Sequence, residues 1–134
     1  MSQSGPGNDG PLRVLVVDAD DRVRESLAGL LAISGQCVVV ASAGQVGQAL
    51  ELAVAHQPDV VIIDPRLPEV DGGIALISSL RASMPTVRIL AMSWSDTLEA
   101  AVRECGADGF VRKTFRPSEL TAAIVAAGGI SPAA

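Results

Sequence analysis

Along this chain, short blocks of apolar residues alternate with longer stretches in which apolar positions recur every three or four residues. The blocks are Leu12 to Val17, Cys37 to Ala41, Val60 to Ile63, Val87 to Met92 and Gly109 to Val111. They are rich in β-branched residues and have the length of strands covered on both faces. After them come the sets Val23, Leu27, Leu30, Leu31; Val46, Leu50, Val54; Ile74, Ile77, Leu80; Leu98, Ala101, Val102, Cys105; and Leu120, Ile124, each an apolar stripe at helical spacing. Gly35, Pro58, Pro85 and Gly106 fall where the first four helices should stop, and Pro117 or Ser118 where the fifth should start.

Alternation of this kind predicts an α/β fold, a (βα)5 doubly wound, five-stranded parallel sheet in the order 2-1-3-4-5 with helices on both faces. Residues 1–10 are polar and Gly/Ser-rich and read as a flexible lead-in; residues 11–128 form the domain; residues 129–134 read as a tail or the stub of a linker. The chain is read either as a stand-alone domain or as a fragment cut at a domain boundary.

Composition narrows the function classes. A length of 134 residues holds one core, and 49% apolar with 19% charged residues is globular rather than disordered. The net charge of −5, a pI near 4.7 and the scatter of the ten Lys and Arg argue against a nucleic-acid surface. No apolar stretch reaches the roughly 18 to 20 residues that span a bilayer, and no signal-peptide pattern opens the chain, so the expectation is a cytoplasmic protein with no membrane contact. Cys37 and Cys105 lack metal or redox spacing and read as packed, reduced thiols. His56, the only histidine, reads as a surface residue at the end of the second helix. Neither GxGxxG nor GxxxxGK[ST] follows any strand, which removes the nucleotide-binding signatures.

In a sheet of this type ligands bind beyond the carboxyl ends of the strands. Those positions hold Asp18, Asp20 and Asp21 after the first block, Asp64 after the third, Ser93 after the fourth and Lys113 after the fifth. Each alone suits a cap, a loop or a solvated side chain. Together they bring carboxylates, a hydroxyl and an ammonium to one crevice. Clustered carboxylates favour a hard divalent cation such as Mg²⁺. A carboxylate can attack a phosphoryl group to give an acyl phosphate, whose oxygens a Lys and a hydroxyl can hold. Asp64 is the best placed nucleophile.

The segments VLVVDADDRVRESL at 14–27, DVVIIDPRLPEVDGG at 59–73, ILAMS at 89–93 and GADGFVRKTFRPSEL at 106–120 together resemble the receiver domain of bacterial two-component response regulators, over about residues 12–128. The resemblance implies a flavodoxin-like fold with Asp64 as phosphoryl acceptor. It implies a Mg²⁺ site made by Asp18, Asp64 and the backbone carbonyl of Arg66, Ser93 as the switch hydroxyl, Lys113 on the phosphate, and Phe110 as the aromatic that turns inward with Ser93. Leu67-Pro68 and Asp71-Gly72 shape the loop and helix entry after the acceptor, where Gly72 and Gly73 permit a tight turn. The implied partners are a sensor histidine kinase, a downstream output domain or protein, and a second copy of the chain. The text around Ala122 to Ile124 and Gly128-Gly129 is similar to receivers that precede a helix-turn-helix output domain. Such a domain is not a turnover enzyme; at most it phosphorylates and dephosphorylates itself at Asp64.

This sequence departs from the family pattern at four places. Ala19 stands where a second acid usually follows the first strand, which predicts weakened Mg²⁺ binding unless Asp20 supplies the missing oxygen. Trp94 replaces a small residue beside Ser93 and reads as a partly exposed lid or contact residue. Thr114 replaces the Pro that often follows the lysine in a cis bond, and Phe110 replaces the commoner Tyr. These changes open a second reading, an interaction module that works without phosphorylation. A third reading takes Asp18-Ala19-Asp20 as the DxD motif of haloacid-dehalogenase-like phosphatases, against which stand Arg22, the short chain and the lack of an acidic pair after Lys113.

Overall fold

A computed structural model describes residues 10–67, 70–113 and 116–127. The lead-in assigned to 1–10, apart from Gly10, and the tail assigned to 129–134 lie outside these residues, as do Pro68 and the Lys113-Thr114 bond. Strands and helices alternate in the order β1 (Leu12–Val17), α1 (Asp21–Ser34), β2 (Cys37–Ala43), α2 (Val46–His56), β3 (Val60–Ile63), α3 (Val70–Ser83), β4 (Arg88–Ser93), α4 (Glu99–Glu104), β5 (Gly109–Arg112) and α5 (Pro117–Ala127). The sheet is parallel throughout, in the order β2-β1-β3-β4-β5. The predicted α/β architecture is the observed one.

Alternation along the strands explains why both faces need helices. Leu15, Val17, Val61, Ile63, Ile89 and Ala91 face one way and pack with Ala49, Ala53, Leu76, Ile77, Leu80 and Val102 of α2, α3 and α4. Val14, Val16, Val60, Ile62, Leu90 and Met92 face the other way and pack with Val23, Leu27, Leu31, Leu120 and Ile124 of α1 and α5. A single blank face would leave half of these branched side chains in water, at about 1.5–3 kcal/mol each.

Four local details differ from the sequence reading. β2 runs on to Ala43, because a register shift opposite Val14/Leu15 lets Ser42 and Ala43 pair with Val16 and Val17. β4 begins one residue later than expected, since Val87 N–H is committed to the Met84 carbonyl in the preceding turn, and Ser93 becomes its last residue. The second helix buries Ala49 and Ala53 instead of Val54, which is 63% exposed. Small residues on the inner face let α2 lie close to the sheet. His56 is half-buried rather than on the open surface.

Gly35 caps α1 at φ 72, a left-handed conformation that glycine adopts without a Cβ penalty. Gly73 lies inside α3, where a Cβ would overlap the Pro65 backbone. Its absence of a side chain therefore serves close packing of α3 on the loop after Asp64, not the tight turn expected from the sequence.

Candidate functional site

The loops at the carboxyl edge of the sheet are fixed by main-chain bonds that continue the strand pairing. Asp18 N–H donates to the Ala43 carbonyl at 3.0 Å, Asp64 N–H to the Val17 carbonyl at 3.0 Å, and Lys113 N–H to the Ser93 carbonyl at 2.9 Å. Three chemically active side chains thus leave β1, β3 and β5 at the same level. β4, between β3 and β5, ends on Ser93, which is only 2% exposed.

Lys113 crosses the edge and holds both acids. Its Nζ donates to Asp18 Oδ2 at 2.6 Å and to Asp64 Oδ2 at 2.7 Å. The remaining oxygens are taken by main-chain donors two residues on: Asp18 Oδ1 accepts from Asp20 N–H and Asp64 Oδ1 from Arg66 N–H, each at 2.9 Å. Both carboxylates are therefore oriented by turns of their own loops before the lysine reaches them. The Lys113 and Asp18 side chains are 2% and 3% exposed, whereas Asp64 is 16% exposed and so is the more accessible carboxylate. Burial alone would lower the Lys113 pKa; hydrogen bonds to Asp18 and Asp64 and their negative charges outweigh it and hold the ammonium above its ordinary value.

The remaining candidates take distinct places. Asp20 is exposed and caps α1, its Oδ1 accepting from Arg22 N–H at 2.9 Å. Ala19 is exposed and offers no side-chain oxygen. Arg66 is exposed, and its guanidinium reaches Thr97 Oγ1 at 3.4 Å across the crevice. Phe110 is half-buried against the α2–α4 side of the core. Trp94 is 61% exposed, with its ring centroid 5.5 Å from Lys113 Nζ.

Sequence reading overlooked two arginines that brace this edge. Arg24 donates to the Asp18 carbonyl at 2.6 Å, and Arg112 to the Trp94 carbonyl at 3.1 Å. No local signal marks either one. Arg24 lies six residues beyond Asp18, and only the phase of α1 turns it back toward the loop.

The donor set suits a hard cation in one respect, since two carboxylate oxygens already converge on a single positive atom. It is sparse in another: among the described residues, no three His, Cys, Asp or Glu side chains gather in a metal-holding group. The free thiols stand apart from this chemistry; Cys37 is buried, which pushes its pKa up.

A parallel sheet in this order, with two acids and a lysine gathered at its carboxyl edge, defines the flavodoxin-like signalling class. Residues 14–125 match the response regulator receiver domain, and the chain belongs to that family. It is 36% identical over 114 residues to the response regulator MprA of Mycolicibacterium vanbaalenii, covering 84% of this chain and 48% of that protein. It is 37% identical over 127 residues to the transcriptional regulatory protein PdtaR of Mycobacterium tuberculosis, covering 90% of this chain and 60% of that one. The chain spans about half the length of the first of these relatives. Among solved structures, the receiver domain of the response regulator NarL from M. tuberculosis superimposes with a TM-score of 0.81 at 30% identity, covering 90% and 98% of the two chains. A LuxR-family two-component response regulator from Aurantimonas gives 0.81 at 32% identity, covering 89% and 86%. The phosphatase reading finds no support here, and Asp20, the second acid of its motif, is an exposed helix cap. Among the described residues, no helix is long and apolar enough to cross a membrane.

Proposed function

We propose that this receiver accepts a phosphoryl group on Asp64 from a partner histidine kinase and passes the change to a partner-binding face built from β4, α4 and β5. The observation that carries the proposal is the sharing of Lys113 between Asp18 and Asp64 at 2.6 and 2.7 Å. Asp64 Oδ2 is the nucleophile, and it reacts as Lys113 exchanges that oxygen for one of the phosphoryl group. Ser93, at the end of β4, supplies the hydroxyl that takes a second phosphoryl oxygen, and the half-buried Phe110 ring follows it inward.

Asp18, Asp64 and the Arg66 carbonyl would hold Mg²⁺, with Asp20 the next acid along the chain. When bound, that cation neutralises phosphate oxygens. Ala19 weakens its binding by removing a direct donor. The kinase supplies the phosphohistidine, and the output is a further domain or protein in the cytoplasm, with a second copy of the chain as one partner. The functional unit runs over 11–128, with 1–10 as a lead-in and 129–134 as a tail or linker stub.

A second reading, an interaction module without phosphorylation, draws on Ala19 and on the charge balance that Lys113 already supplies. Intact mass after incubation with phosphoramidate, with and without Mg²⁺, separates the two. A Mg²⁺-dependent gain of about 80 Da, one phosphoryl group, that is absent in Asp64→Ala is the expected result. No gain under any condition selects the interaction module.

A further inference from the structure

Trp94 follows β4 directly, and two bonds from the end of β5 and the residue after it fix the segment that carries it. Lys113 N–H donates to the Ser93 carbonyl at 2.9 Å, and the Arg112 guanidinium to the Trp94 carbonyl at 3.1 Å. With the backbone held, the ring centroid lies 5.5 Å from Lys113 Nζ, within the range of cation–π attraction. The ring is 61% exposed while the lysine side chain is 2% exposed. So open an indole is not part of the hydrophobic core, and one of its neighbours is the buried ammonium. Lys113 is also the only lysine in the sequence, so no other side-chain ammonium can replace it.

We propose that Trp94 is a cover over Lys113 that selects among phosphodonors, a role that rests on Asp64 being the phosphoryl acceptor. For a phosphoryl group to arrive, Lys113 must leave Asp64 Oδ2 for a phosphoryl oxygen, and it does so beneath the indole. The ring holds the ammonium in its resting pair with the two acids and narrows the approach from the β4–β5 side. Small free donors and water reach the acceptor slowly. A donor presented on a protein surface displaces the indole through its own contacts and is favoured.

The test uses wild type, Trp94→Ala and Trp94→Phe. Trinitrobenzenesulfonate labels amines, and peptide mass reads Lys113 against the N-terminal amine as internal reference. In parallel, phosphoramidate with Mg²⁺ labels Asp64: the carboxylate oxygen bonds to phosphorus, the P–N bond breaks, and the nitrogen, already protonated in the donor, leaves as ammonia. Trp94→Ala should raise both rates about two- to fivefold, the factor set by an ordinary cation–π contact, while Trp94→Phe, which keeps an aromatic face, stays near wild type. Equal Lys113 rates in wild type and Trp94→Ala overturn the cover. Faster Lys113 labelling with unchanged Asp64 labelling overturns donor selection. If no protein takes up a phosphoryl group, the acceptor role of Asp64 fails and donor selection fails with it, while the Lys113 rates still decide the cover.

Discussion

Lys113 joins two acids that precede it by 95 and 49 residues, and its ammonium is buried with Asp18 and beside the part-buried Asp64. Removing one member of a buried ion group leaves uncompensated charge, so Lys113→Ala should lower stability by about 3 kcal/mol at neutral pH. Urea unfolding reads this as a lower midpoint with unchanged slope. The pH dependence has a definite sign. Because the folded-state pKa of Lys113 is raised, its contribution is fully present below the ordinary lysine value of 10.5 and is lost as pH climbs beyond it toward the raised value. Thermal melts of wild type against Lys113→Ala across alkaline pH should converge; the comparison cancels the buried Cys37 thiol, which both proteins share.

At the scale of elements, two positions couple a helix to the site. Asp20 caps α1 through Arg22 N–H, so Asp20→Ala should cost about 1 kcal/mol, whereas Asp20→Asn keeps a capping oxygen and should cost little. Equilibrium denaturation of the pair distinguishes cap from charge. Gly73 lets α3 rest on the Pro65 backbone next to Asp64. Gly73→Ala should lower stability by roughly 1–3 kcal/mol, as overpacking does, and should slow Asp64 labelling as well, because the helix can relieve the overlap only by shifting the loop. Unchanged labelling kinetics in a destabilised Gly73→Ala would separate the helix from the site.

For the whole molecule, Mg²⁺ held between loops of the folded sheet would bind the folded state alone, so it should raise Tm by an amount that grows with the logarithm of free Mg²⁺ above its Kd. At about 100 times Kd the gain is about 2.7 kcal/mol. Ala19→Asp restores an oxygen beside Asp18 and should enlarge the Mg²⁺-dependent rise in Tm, read by melting at graded Mg²⁺. An equal rise in both proteins would mean that position 19 does not face the ion.

How far the sequence carries differs by element. β1 and β3 were legible to the residue, since short blocks dominated by Val, Leu and Ile, bounded by polar or turn residues, suit a covered strand. The inner face of α2 was not, because alanines bury as well as valines, and only contact with the sheet decides which side turns in. Asp18, Asp64, Ser93 and Lys113 could be placed at the strand ends, as parallel topology sends each strand's last residue to one edge. Their partnerships, the Asp20 cap and the braces by Arg24 and Arg112 could not be placed so, being set by distances across the crevice between residues remote in sequence. The order of elements, the two buried faces and the active residue types follow from the sequence alone, because periodicity and side-chain chemistry are local. That Lys113 pairs with both acids, that Trp94 lies beside it and that Gly73 packs on the loop after Asp64 were decided only in the tertiary structure, where packing fixes which groups meet.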